Sequence, residues 1–178
     1  MIKLVVFDLD GVLVDARELH YQALNEALGS ISNGSFIIDR EEHLSTYDGL
    51  STSKKLNMLT EAKGLPEALH DAVWKLKQEK TIQIIDNFAP DHRIINILRR
   101  LRSDGYMIAC ATNSIRETAK LQLIRRGFFE HIDFLYSNQD VNKPKPSSEM
   151  YLRCMLRAAV DPDETVIIED SHHGRKAA

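Results

Sequence analysis

Residues 1–15 read MIKLVVFDLDGVLVD. An apolar run from Leu4 to Phe7 delivers Asp8 and Asp10, and Gly11 ends it. A Val- and Leu-rich run bounded by glycine reads as a buried strand of a parallel sheet, apolar on both faces because helices cover both. The carboxylates then sit at the strand's C-terminal tip, the edge at which open α/β sheets bind ligands. Residues two apart on a strand point the same way, so Asp8 and Asp10 can address one bound group. Their mutual repulsion asks for a hard cation such as Mg²⁺, which takes oxygen ligands and accompanies phosphates.

Outward from this strand the chain changes texture twice. After Asp15, the positions Leu19, Ala23, Leu24, Ala27 and Leu28 recur at helical spacing, and Gly29 offers a C-terminal cap. Asp39 with Glu42 forms a capping-box pattern, Ser51 or Thr52 can open a helix that closes at Gly64, and Pro66 suits the first turn of another that carries Trp74 as a core residue. A parallel crossover needs only one helix. Residues 16–85 are therefore expected to form an inserted helical subdomain, with residues 1–15 and 86–178 as the core domain.

From Asp91 helix and strand alternate. An amphipathic helix ends at Gly105 and YMIACAT makes a second strand; Ser114 and Glu117 form a capping box for a helix closed by Gly127, and IDFLYS is a third strand. The loop VNKPKPSS, the helix SEMYLRCMLRAAV and the fourth strand TVIIED complete the pattern. Such alternation argues for an α/β fold built on a doubly wound parallel sheet. The chain stops at SHHGRKAA, where a helix should be starting, which would leave the fourth strand at a thinly covered edge. The expectation is a fragment of a longer polypeptide, truncated at its C-terminus.

Composition narrows the class. With 178 residues, 43% of them hydrophobic, the chain can bury a full core. Net charge is −3, and its basic residues are scattered apart from Arg99, Arg100 and Arg102, which read as a solvated helix face. That speaks against nucleic acid as a partner. Two cysteines, Cys110 and Cys154, suit small buried residues in a reducing compartment. Asp8 and Asp10 would fall inside the apolar segment of any N-terminal signal peptide, and the chain holds no apolar window of about eighteen residues. A cytoplasmic protein with no membrane partner is expected.

Four strand tips now carry polar groups. Asp8 and Asp10 follow the first strand, Thr112, Asn113 and Ser114 the second, Lys143 the third, and Glu169 with Asp170 the fourth. Parallel strands bring these tips to one edge. They supply a carboxylate nucleophile, a second carboxylate able to move a proton, a hydroxyl beside backbone N–H groups at a helix start, a cation, and carboxylates for a metal. Phosphoryl transfer needs these parts, because positioning and charge neutralisation carry most of its catalysis.

In that order, FDLDGVLVD, ATNS, Lys143 within KPKPSSEMY, and VIIEDS resemble the four motifs of the haloacid dehalogenase superfamily, in its Mg²⁺-dependent phosphatase and phosphomutase branch. The resemblance covers the whole chain. Residues 16–85 resemble the small helical cap subdomain inserted in a Rossmann-like core, and His20 with GLSTS matches the group that contains β-phosphoglucomutase and phosphoglycolate phosphatase. The resemblance implies that Asp8 attacks phosphorus to form an aspartyl-phosphate and that Asp10 serves as general acid and base. It implies that Thr112, Asn113 and Ser114 hold the phosphoryl group, with His20 on the substrate side. Lys143 would neutralise charge on Asp8 and the phosphate, and Lys145 would face solvent. Asp8, the backbone carbonyl of Asp10 and Asp170 would hold Mg²⁺, with Glu169 behind them.

Within the branch, Asp10 argues against the dehalogenase reaction, which releases halide and needs no protonated leaving oxygen. Ala16 and Thr52 depart from the mutase pattern, which tends to place a hydroxyl residue and an arginine there; an arginine suits a second phosphate as a bidentate donor. The expected activity is hydrolysis of a small phosphorylated metabolite such as a sugar phosphate, with a sugar phosphomutase as the alternative. A non-catalytic regulatory or interaction domain is the alternative from another class. Tyr47 and Asp48, beside GLSTS, are further candidates for substrate contact.

Overall fold

A computed structural model describes residues 1–47 and 50–178, so Asp48 lies outside the described residues. In chain order, β1 (Leu4–Phe7) is followed by α1 (Arg17–Ser32), α2 (Arg40–Glu42), α3 (Thr52–Lys63) and α4 (His70–Asp86). Then come α5 (His92–Ser103), β2 (Met107–Ala111), α6 (Arg116–Arg125), β3 (Phe134–Tyr136), α7 (Glu149–Ala158), β4 (Thr165–Ile168) and α8 (His172–Ala177). The chain divides into two compact units, Met1–Asp15 with Asn87–Ala178, and Ala16–Asp86. Among the described residues no helix is long and apolar enough to cross a membrane.

The first unit is built on a parallel sheet in the order β3-β2-β1-β4. Its register aligns Phe7 with Cys110 on one side and with Ile168 on the other, so the strand tips end level. Alternate residues feed two cores, as the pleat requires. Val5, Phe7, Ile108 and Cys110 pack with Ile95 and Leu98 of α5 and Ala119 and Leu123 of α6. Leu4, Val6, Ala109 and Ala111 pack with Met150, Tyr151 and Cys154 of α7 and Ala177 of α8. Helices thus cover both faces, the doubly wound arrangement that the apolar strands require. Strand β4 lies at an edge, and Val166 and Ile168, on the face shared with Val5 and Phe7, are 41% and 38% exposed.

The second unit is helical. Leu24, Ala27 and Leu28 of α1 share one core with Leu56 and Leu59 of α3, Val73 of α4, Ile38 and Tyr47. Asn25 ties the loop before α2 to α1, donating to the Ile38 carbonyl at 2.7 Å and accepting from the Ile38 N–H at 2.9 Å. Asp39 caps α2 by accepting from Glu42 N–H, as its spacing indicated.

Several local expectations change. Helix α1 passes through Gly29 and stops at Asn33, which adopts the left-handed conformation at φ 50°. Asparagine tolerates that conformation, and the extra turn packs Ile31 against the helical core. Trp74 is 39% exposed and so lies outside that core. The N-cap of α6 is Ile115, with no side-chain bond, because the hydroxyl of Ser114 is engaged elsewhere. Cys110 and Cys154 are buried thiols, and burial pushes the Cys154 thiol up to about 12.

Helix α8 begins with Ser171 accepting from Gly174 N–H, and brings Gly174 against the carboxylate of Glu169. A β-carbon there would meet Glu169 Oε1 at 1.7 Å. Alanine ordinarily favours a helix over glycine by about 1 kcal/mol. Gly174→Ala is expected to lower the melting temperature nonetheless, and an unchanged or raised value would show that the Glu169 carboxylate swings aside at no cost.

Candidate active site

The site grows from the way β1 ends. Asp8 continues the ladder, donating its N–H to Ile168 O at 3.0 Å, and is buried. Leu9 points the opposite way into the core, so Asp8 and Asp10 emerge together. Gly11, at φ +100°, turns the chain, and its N–H donates to Val14 O at 2.7 Å.

The cation beside Asp8 is Lys145, which corrects the expectation for both loop lysines. Lys145 Nζ donates to Asp8 Oδ1 at 2.6 Å and to Glu169 Oε1 at 2.6 Å, and the three side chains are 3%, 9% and 3% exposed. The ammonium also lies 5.0 Å from the centre of the Tyr151 ring. Lys143 is exposed, and its backbone N–H donates to Glu149 Oε2 at 2.9 Å. Two Lys-Pro pairs in succession leave this choice open locally. Lys145 stands four residues before the first residue of α7, but that spacing does not by itself separate it from Lys143.

The tip of β2 turns toward Asp10. Ser114 Oγ donates to Asp10 Oδ2 at 2.5 Å and Thr112 Oγ1 to the same oxygen at 3.4 Å, while Thr112 Oγ1 accepts from Ser114 N–H at 3.0 Å. Asn113 uses its amide differently, donating to Lys145 O at 3.1 Å and accepting from Lys145 N–H at 3.0 Å.

The tip of β4 contributes Glu169 and Asp170. Glu169 is saturated by the protein: besides Lys145, its Oε1 accepts from Tyr151 OH at 3.2 Å and its Oε2 from Ser171 N–H and Oγ, each at 2.9 Å. Asp170 is exposed, with its side chain beside Gly11, where a β-carbon would stand 2.2 Å from Asp170 Oδ2. One oxygen from each of Asp8, Glu169 and Asp170 lies within 4.8 Å of the others. Only hard oxygen donors converge here, and Asp8 and Glu169 share one ammonium between two formal charges. The donor set therefore fits a divalent cation that prefers oxygen.

Electrostatics follow from this burial. Loss of solvation pushes the Asp8 carboxyl up to about 7; the Lys145 ammonium opposes the rise, while Asp10 and Glu169 add to it. Burial alone would lower the Lys145 pKa, yet the Asp8 carboxylate, with Tyr151 and Glu169, raises it above the ordinary lysine value. Burial works against ionised Glu169 too, and its bonds to Lys145 and Ser171 outweigh that and hold its pKa below the usual range.

The site thus assembles Asp8, Asp10, Thr112, Ser114, Lys145, Glu169 and Asp170 within one unit, with Asn113 turned to the lysine loop. His20 belongs to α1 of the other unit, where it is half-buried. Tyr47 is buried in that unit's core at 1% exposure.

Known proteins bear on this arrangement. The family model for haloacid dehalogenase-like hydrolases matches residues 5–178. Pyrophosphatase PpaX from Bacillus velezensis is 24% identical over 177 residues, covering 95% of this chain and 74% of that protein. A phosphorylated carbohydrates phosphatase from Thermotoga maritima is 26% identical over 174 residues, covering 98% and 79%. A crystal structure of mutant CbbY from Rhodobacter sphaeroides in complex with xylulose-(1,5)bisphosphate shares the fold, with a TM-score of 0.85 at 22% identity, covering 99% of this chain and 81% of that one. With a parallel α/β sheet, carboxylates at the tips of β1 and β4, and a family match over nearly its whole length, the chain belongs to the haloacid dehalogenase-like hydrolases.

Proposed function

We propose that the protein is a Mg²⁺-dependent phosphatase that hydrolyses a small phosphomonoester, a sugar phosphate or similar metabolite, through an aspartyl-phosphate on Asp8. The observation that carries this reading is the buried contact of Asp8 Oδ1 with Lys145 Nζ, with Asp10 two residues on. A carboxylate nucleophile needs a fixed cation beside it to meet an anionic substrate, and a neighbouring acid to release an alcohol. The named activity of the Thermotoga maritima relative, a phosphorylated carbohydrates phosphatase, supports the substrate class.

In this reading an Asp8 oxygen bonds to phosphorus as the bond from phosphorus to the ester oxygen breaks, and protonated Asp10 gives its proton to the leaving alcohol. Asp10, now a carboxylate, takes a proton from water, whose oxygen bonds to phosphorus while the bond to Asp8 breaks. Inorganic phosphate leaves and Asp8 is restored. Thr112 and the backbone N–H of Asn113, near the start of α6, hold phosphoryl oxygens, where a helix start favours anions. Lys145 offsets charge on Asp8 and on the transferring group. Asp8, the Asp10 carbonyl and Asp170 are the proposed Mg²⁺ ligands, and Glu169, committed to Lys145, Tyr151 and Ser171, orients the layer behind them. Bound Mg²⁺ supplies positive charge that offsets the phosphoryl oxygens. Choice of the substrate's organic part is assigned to the Ala16–Asp86 unit, His20 included, acting as a cap subdomain.

Hydrolysis of p-nitrophenyl phosphate with Mg²⁺ tests this reading, and Asp8→Asn is expected to reduce kcat by about 10³-fold or more. A folded protein that retains its rate with Asp8→Asn would exclude an aspartyl-phosphate. With a sugar phosphate, release of phosphate without an isomer separates phosphatase from mutase.

Lys145→Ala is expected to cost about 10²-fold or more in kcat, as for loss of a charge placed at the reacting group, and Lys143→Ala less than about twofold. The reverse ranking would return the cationic role to Lys143.

The raised Asp8 pKa gives a further expectation. Between the ordinary carboxylate pKa and about 7, folded protein keeps a proton on Asp8 that the unfolded chain has released, so stability falls as pH rises through that window. A cation that binds Asp8 displaces that proton. Added Mg²⁺ should therefore raise the melting temperature more at about pH 8 than at about pH 5. Equal gains at both would place the binding away from Asp8.

A further inference from the structure

The Lys145 ammonium is held at its tip by Asp8 and Glu169, but a four-carbon side chain reaches them only if its backbone is held as well. The loop that carries it runs from Asn138–Asp140 to α7 without strand partners of its own among the described residues. Its anchor is Asn113. The amide oxygen accepts from Lys145 N–H at 3.0 Å and the amide nitrogen donates to Lys145 O at 3.1 Å. One planar amide thereby satisfies both backbone groups of one residue, as a neighbouring strand would. The same device fixes a structural loop in the helical unit, where Asn25 holds Ile38.

Asn113 follows Thr112, whose hydroxyl lies 3.4 Å from Asp10, and precedes Ser114, whose hydroxyl lies 2.5 Å from it. Thr112 and Ser114 thus turn their hydroxyls to Asp10, while the Asn113 amide between them turns to the loop between β3 and α7. We infer that Asn113 is a positioning residue, whose side chain acts through Lys145 by clamping its backbone and does not bind the substrate. The inference rests on the phosphatase reading, in which Lys145 serves the reacting group. It turns the tips of β2 and the lysine loop into one unit: whatever orders Thr112 to Ser114 also sets where the ammonium stands.

The test combines amide exchange with kinetics. In the unaltered protein the Lys145 amide proton should exchange slowly. Asn113→Ala should make it exchange fast, and Asn113→Asp, which keeps an acceptor oxygen, should retain protection. On p-nitrophenyl phosphate, Asn113→Ala should lower kcat about 10- to 100-fold, as loss of an outer partner of a site residue does, with KM within about twofold. Added to Lys145→Ala, it should cost less than about twofold more, because residues that act as a unit do not add. Unchanged exchange at Lys145 in Asn113→Ala would overturn the clamp. A raised KM, or losses that multiply in the double variant, would make Asn113 a substrate-binding residue, and unaltered kinetics would leave it structural; each overturns the inference. If Lys145→Ala alone keeps full activity, or no phosphomonoester is hydrolysed at all, the phosphatase reading fails, while the exchange measurements still decide the clamp.

Discussion

The structure of the site depends on one buried ammonium. Lys145 stands between Asp8 and Glu169 with its side chain 3% exposed, and each contact measures 2.6 Å. A charge taken out of water is costly unless it is paired and fully hydrogen-bonded. Asp8 and Glu169 come from adjacent strands, β1 and β4, and Lys145 from a loop beyond β3, at the other end of the sheet. The triad therefore ties the sheet's two sides across the strand tips, and the Tyr151 ring and hydroxyl close it from α7.

Glycine makes room for this crowding. Gly11 is needed twice over, since its φ of +100° disfavours other residues and a β-carbon would collide with Asp170. Gly174 has an ordinary helical backbone, and its requirement is purely one of space beside Glu169. Both glycines flank acidic residues at strand tips. Close approach of backbone to carboxylate leaves Asp8, Glu169 and Asp170 near enough to share one cation, while the pairing with Lys145 fixes which of their oxygens are already committed.

Asparagine and serine show how the same residue type is put to local or distant use. Asn25 and Asn113 each pair with both backbone groups of one remote residue, once for a helical core and once for the lysine loop. Ser51 and Ser171 cap helices by accepting a backbone N–H, whereas Ser114, set in a similar sequence pattern, donates to Asp10 and leaves α6 without a side-chain cap. A nearby carboxylate from another strand outcompetes the local backbone, because a charged acceptor makes the stronger bond.

By itself the sequence determined the layered fold, the inserted helical region, and the acidic pairs at the ends of β1 and β4. These rest on periodicity and on strand tips, which are local properties of the chain. The choice of Lys145 over Lys143, the diversion of Ser114 to Asp10 and the turning of Asn113 toward the lysine loop were decided by the tertiary structure alone. Each depends on what lies across the sheet from the residue. Lys143 and Lys145 both precede a proline, and no spacing rule tells which backbone an asparagine 32 residues earlier will hold. Helix α1 likewise ran past Gly29 because packing of its extra turn outweighed a local stop signal.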